Sequence, residues 1–186
     1  MEVFNTEPVP PVSQVNFIRE GVKIGIINGA LALLIMYITY FVDLDTFVNC
    51  QFITAFIPYM IIILIIYGFY IRRKNGNYLN FKDALQYTFM SYVIAAVIVA
   101  IGTYILYNLV DKDLTQKSFD LTVEKTRSFM ESIKVDPKQI DKELDSMNRK
   151  DTTFKNIFLG VGLSLIWDFI KSLLISLIIR REKPVI

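Results

Sequence analysis

Four long apolar stretches constrain this chain more than any other feature of its sequence. They cover residues 22–42, 50–71, 84–110 and 157–179, and the only charged residues in them are Lys23, Asp168 and Lys171. The hydrocarbon core of a bilayer is ~30 Å thick, so about 20 apolar residues of helix cross it. Each stretch meets that length. An ordinary soluble domain is excluded, and so is a transmembrane β-barrel, whose strands are short and alternate in polarity. The fold class is therefore all-α: a polytopic membrane protein with four transmembrane helices. The overall balance of 53% hydrophobic and 20% charged residues conceals this pattern, because the charge sits almost entirely between the stretches.

The first stretch reads as an anchor rather than a cleaved signal peptide. A signal has a basic start and an apolar run of ~7–15 residues ending in small residues. Here the preceding segment is acidic and rich in proline (Glu2, Glu7, Pro8, Pro10, Pro11), and the run ends at Tyr40, Phe41, Val42 and Asp43. Residues 1–14 read as a disordered cytoplasmic tail, and 15–186 as a single membrane domain.

Orientation follows from lysine and arginine, which collect on the cytoplasmic side. Arg72, Arg73, Lys74 and Lys82 precede the third stretch, Arg180, Arg181 and Lys183 follow the fourth, and Arg19 and Lys23 flank the first. The turn at 43–49 has two acids and no basic residue. Both termini and the 72–83 loop are thus expected in the cytoplasm, with 43–49 and 111–156 outside.

The segment 111–156 is too patterned to be a linker. Phe119, Val123, Met130 and Ile133 recur at helical spacing, and Asp136-Pro137 reads as an N-cap followed by proline at the first helical position. Ile140, Leu144 and Met147 continue the stripe. Two amphipathic helices, 114–133 and 137–149, are expected to form an extracytoplasmic hairpin between the third and fourth spans. Their narrow stripes suit packing against other helices. The hairpin either packs on itself and the bundle rim or offers a docking surface to an envelope partner. In the cytoplasmic loop, Asn75-Gly76 signals a turn and Asn80 a cap for the third span.

Inside the membrane, Gly21, Gly25 and Gly29 form a tandem G-x-x-x-G on one face of the first helix, where small residues let two backbones approach. Asn28 lies beside that face. Gly160, Ser164, Asp168, Ser172 and Ser176 fall on a single row of the last helix. The simplest packing sets the glycine face against this row. Ser91, Ala95 and Ala96 add small residues from the third span. Asp168 lies near the middle of its helix, with Lys171 one turn away. An isolated charge there costs ~2.5–3.5 kcal/mol on insertion scales, whereas neighbours at this spacing can pair. The pair, helped by Asn28, Ser164 and Ser172, either fixes helix register or serves as a polar site for a substrate, ion or proton. Pro58 is expected to kink the second span by freeing the carbonyl of Thr54. Trp167, at mid-depth, is expected to pack inside the bundle.

The chain has no histidine and one cysteine, Cys50. Histidine-based general-base and nucleophile systems are excluded, as are an intramolecular disulfide and a cysteine zinc site. With a net charge of +2 there is no nucleic-acid footprint. No cofactor is expected. The reading is a non-enzymatic accessory or assembly component, resident in the lipid bilayer, that binds another membrane or envelope protein; the other partner considered is a second copy of this chain, as a homo-oligomer. The alternative is a small oligomeric transporter or channel component using Asp168 and Lys171.

The stretch Arg72-Arg73-Lys74-Asn75-Gly76-Asn77-Tyr78-Leu79-Asn80-Phe81-Lys82-Asp83-Ala84 resembles the hallmark of a bacterial membrane family known as domain of unknown function 4199. The charged segment from Asp113 to Asp151 and the last helix from Gly160 to Arg181 are similar to the rest of its pattern. The resemblance runs from about residue 17 to 181 and implies four spans in a bacterial inner membrane. It implies no activity and transfers no functional residue.

Overall fold

The computed structural model describes residues 15–56, 58–147 and 152–182. The predicted tail, 1–14, and the end of the second hairpin helix lie outside them. The elements are α1 (Phe17–Val42), α2 (Leu44–Phe56), α3 (Tyr59–Lys74), α4 (Phe81–Ile105, continued by a π-helical turn Leu106–Val110), α5 (Leu114–Ser132), α6 (Pro137–Ser146) and α7 (Phe154–Ile179). The all-helical prediction holds. Three helices are long and apolar enough to cross a membrane: α1, α4 with its continuation, and α7.

The second apolar stretch departs from prediction. It holds two helices, α2 and α3, with Pro58 outside both. Proline lacks an N–H and clashes with the preceding turn, and α3 starts just after it, with Pro58 at its N-cap. The predicted 43–49 turn is also absent. Helix resumes at Leu44, and Asp43 alone forms the joint, extended at φ −172° and ψ 165°. Its carboxylate caps α2, accepting from the backbone N–H of Thr46 at 2.7 Å and from the Thr46 hydroxyl at 2.8 Å. Those two donors, the backbone N–H foremost, hold the Asp43 carboxyl below its ordinary range.

The closest approach in the fold joins α1 to α4. A Cβ added at Gly21 would meet the Tyr87 carbonyl oxygen at 2.6 Å, and one at Gly25 would meet that of Ser91 at 2.8 Å. At Gly29 it would meet Ile98 at 2.9 Å. The Ser91 hydroxyl donates to the Gly21 carbonyl at 2.8 Å, and the Tyr37 hydroxyl to that of Gly102 at 3.1 Å. The partner expected for these glycines is corrected: they lie against α4, not against the small-residue row of α7. The register is parallel, with Gly21 beside Tyr87 and Gly29 beside Ile98.

Helix α7 packs antiparallel on another side of α4. Thr88 and Ser176 hydroxyls lie 3.0 Å apart, Phe89 meets Phe169, and Tyr104 meets Phe154. Because α1 and α4 run parallel, α2 and α3 together carry the chain back along their length. The two halves choose different neighbours. Helix α2 lies against α1 and α5, while α3 lies against α7. Gly68 of α3 admits Ile179, which would stand 2.7 Å from a Cβ there. Glu20, buried in α1, accepts from the Tyr67 hydroxyl of α3 at 2.7 Å and pairs with Lys23 at 2.9 Å.

At one end of the bundle the basic loop folds onto the finish of α7. Leu79 and Arg181 form an antiparallel bridge, and Arg72 donates to the Ile179 carbonyl at 3.3 Å. The turn before it uses Gly76 and Asn77 at φ 68° and 67°, a conformation favoured by these residue types. Asn80 caps α4 by accepting from the Asp83 N–H at 2.8 Å. At the other end α5 docks on α2. Lys125 pairs with Asp45 and donates to Asn49 at 2.9 Å, while Leu114 and Leu121 pack with Phe47 and Val48. Asp136 caps α6 as predicted, with Pro137 in its first turn.

Overpacking a closed helix contact costs about 1–3 kcal/mol or more. Gly25→Leu is therefore expected to lower the thermal melting point of the protein in detergent. Gly160→Leu, at a position with no neighbour within 4 Å, is expected to leave it unchanged.

Candidate functional site

Asp168 sits near the middle of α7, roughly 21 Å from one end and 17 Å from the other at 1.5 Å rise per residue. Its Oδ1 lies 3.0 Å from Lys171 Nζ. The carboxylate is largely enclosed, its side chain 13% exposed, whereas the lysine side chain is 46% exposed. The ammonium also lies 5.7 Å from the centre of the Tyr92 ring, within cation–π range. Tyr92 is buried, and its hydroxyl has no hydrogen-bond partner among the described residues. The result is a locally neutral pair lodged between α4 and α7, with its cation turned to the open side.

The structure divides the other predicted members of this site. Ser172 is fully buried and its hydroxyl donates to the Asp168 backbone carbonyl at 2.7 Å, not to the carboxylate. It faces Thr88, whose hydroxyl reaches the Ser172 carbonyl at 3.3 Å. Ser164 is exposed and donates within its own helix, to Val161 at 2.9 Å. Asn28 is buried in α1, and neither atom of its amide has a hydrogen-bond partner among the described residues. Asn28 and Ser164 thus make no hydrogen bond to the pair. Among the described residues no cluster of three histidine, cysteine or acidic side chains is placed to hold a metal.

The small-residue row of α7 is split along its length. Ser172 and Ser176 are buried against α4. Apart from the helix's own backbone, no atom of the described residues lies within 4 Å of where a Cβ would stand at Gly160 or Gly162. Helix α3 covers the Ser172–Ile179 end, but above it the chain crosses to α1 as α2. The other half of α7 leans on α4 through Phe154 against Tyr104 and through the Asn108 amide, which donates to the Thr152 carbonyl at 2.8 Å. Trp167, predicted to pack inside, is 67% exposed. At 3.6 residues per turn, Gly160, Ser164, Trp167 and Lys171 share one narrow face.

Three contributors were not singled out in the sequence. Tyr92 shields the ion pair, Thr88 anchors α7, and Glu20 ties α1 to α3. Tyr92 carried a usable signal, since a tyrosine at mid-span stands away from the interfacial belt. Thr88 and Glu20 carried none, being ordinary at their positions.

Removing one member of the pair strands the other in the bilayer, at a cost of about 2.5–3.5 kcal/mol. Lys171→Met is expected to reduce the amount of protein recovered from membranes, and adding Asp168→Asn to restore it. If the double variant is no better than the single one, mutual neutralisation is not the role of these side chains.

Three helices of spanning length and apolarity mark the chain as a membrane protein. No curated protein and no solved structure matches it. A family model does, over residues 23–181, which includes the basic loop, the charged segment and the whole of α7. On that match the chain belongs to the family described as protein of unknown function (DUF4199).

Proposed function

We propose that this protein is a non-enzymatic assembly component of the bacterial inner membrane that holds a helix of another membrane or envelope protein against the open face of α7. The observation that carries this reading is the unpartnered half of α7, where Gly160 and Gly162 have open space and the Lys171 ammonium is exposed near mid-span. Glycine on a helix face lets a second backbone approach, and polar groups at that depth favour a protein neighbour over lipid. The face is flanked by Trp167, a large side chain suited to filling a partner's groove.

The topology in this proposal has four crossings, with α2 and α3 together forming the second. Their return along the parallel α1–α4 pair supports it, as does their combined reach from Leu44 to Lys74. Arg72, Arg73, Lys74, Lys82, Arg180 and Arg181 gather at the end where Leu79 meets Arg181, which supports placing that end and both termini in the cytoplasm. The α5–α6 segment then lies outside, held to the rim by Lys125 and Leu114.

The competing use of Asp168 and Lys171, in a small oligomeric transporter or channel component, calls for a hydrated path at the pair. A cavity of about 690 Å³ lies elsewhere, and neither residue lines it.

Affinity purification of the tagged protein from its native membranes in mild detergent tests the proposal. A stoichiometric membrane-protein partner is expected, and Gly160→Leu is expected to release it while the protein remains folded. A clean homo-oligomer without a partner would overturn the assembly reading in favour of transport. Release on deleting 114–149 but not with Gly160→Leu would move the contact from α7 to the outer hairpin.

A further inference from the structure

The cavity of about 690 Å³ lies where α1, α2 and α4 diverge beneath α5. Its volume is that of a small-molecule site. Its walls are graded. At depth they are apolar, formed by Ala32, Ile35 and Val99. Toward α5 they carry hydroxyls, among them those of Thr115, Ser118 and Thr152. The hydroxyls of Thr115 and Thr152 bond each other. The Ser118 oxygen is buried and has no hydrogen-bond partner among the described residues. A buried polar atom of this kind calls for a partner. Among the described lining residues none is Asp, Glu, Lys or Arg.

We propose that this cavity binds an uncharged single-chain amphiphile, its hydrocarbon chain among Ala32, Ile35 and Val99 and its hydroxyl-bearing head against Ser118. A chain of methylenes fits the apolar side chains of Ala32, Ile35 and Val99. A head with donors and acceptors fits the Ser118 end. A charged head does not, because burying an ion without a countercharge is costly and these walls supply none. The site is independent of the α7 face and stands whether or not that face binds a partner.

Cys50, the only cysteine of the chain, lines the same cavity and serves as its reporter. The test follows alkylation of Cys50 by a small maleimide in the full-length protein reconstituted in nanodiscs. The probes are monoolein, uncharged, and oleate, which has the same chain and an anionic head. Monoolein is expected to slow alkylation roughly tenfold at ten times its Kd, and oleate to leave it unchanged. Ala32→Phe, which fills the deep end, is expected to abolish the protection by monoolein. Ser118→Leu, at the rim, serves where the first variant fails to fold and is expected to weaken it. No protection by monoolein overturns the proposal. Equal protection by both probes, or full protection by monoolein in a folded Ala32→Phe protein, overturns it as well.

Discussion

The contact of α1 with α4 is the constraint on which the rest of this structure depends. In a bilayer there is no hydrophobic force between helices, because lipid tails are as apolar as leucine. Association rests on close packing and on hydrogen bonds in a medium that offers no others. The three glycines of α1 allow backbone approach at Gly21, Gly25 and Gly29, and the Ser91 hydroxyl closes the seam on the Gly21 carbonyl. Helix α4 then becomes the shared wall of the bundle. One side is taken by α1 through glycine, and another by α7 through Thr88, Ser172 and Ser176, where hydroxyls face hydroxyls.

The break before Tyr59 decides what is left uncovered. An unbroken second helix would have kept the same neighbours along its whole length. Instead α2 sides with α1 and α5, and α3 with α7. Two gaps result on different flanks of α4. One is the bare half of α7 with its ion pair at the boundary. The other is the cavity between α1, α2 and α4, roofed by α5.

The legible part of the fold was the part imposed locally or by the bilayer. Span lengths follow from membrane thickness, so α1, α4 and α7 were visible as apolar runs. Asn80, Asp136 and Pro137 act on their own helix ends, and those ends are where they should be. The pairing of helices was not legible. A glycine row says that some backbone comes close without saying which. The row on α7 was the more conspicuous partner, whereas Ser91 and Ala95 on α4 are small residues that occur in most spans. The consequence of Pro58 was legible in kind but not in extent, because whether a helix bends or parts depends on what its two halves can pack against. Of the candidate polar site, the Asp168–Lys171 pair was legible from i,i+3 spacing. The exclusion of Asn28 and Ser164 was not, since it depends on which way α1 and α7 are turned.

The α1–α4 seam also sets an order of events during synthesis. The Ser91 hydroxyl and the Gly21 carbonyl are 70 residues apart in the chain, and all of α2 and α3 is made between them. Chains emerge amino-terminal end first. Helix α1 therefore exists before the surface that matches it, and its glycine groove and the amide of Asn28 spend that interval against lipid or against whatever protein attends insertion. Helix α2 can settle against α1 as it forms, but the glycine face of α1 finds its match only when the third long segment arrives.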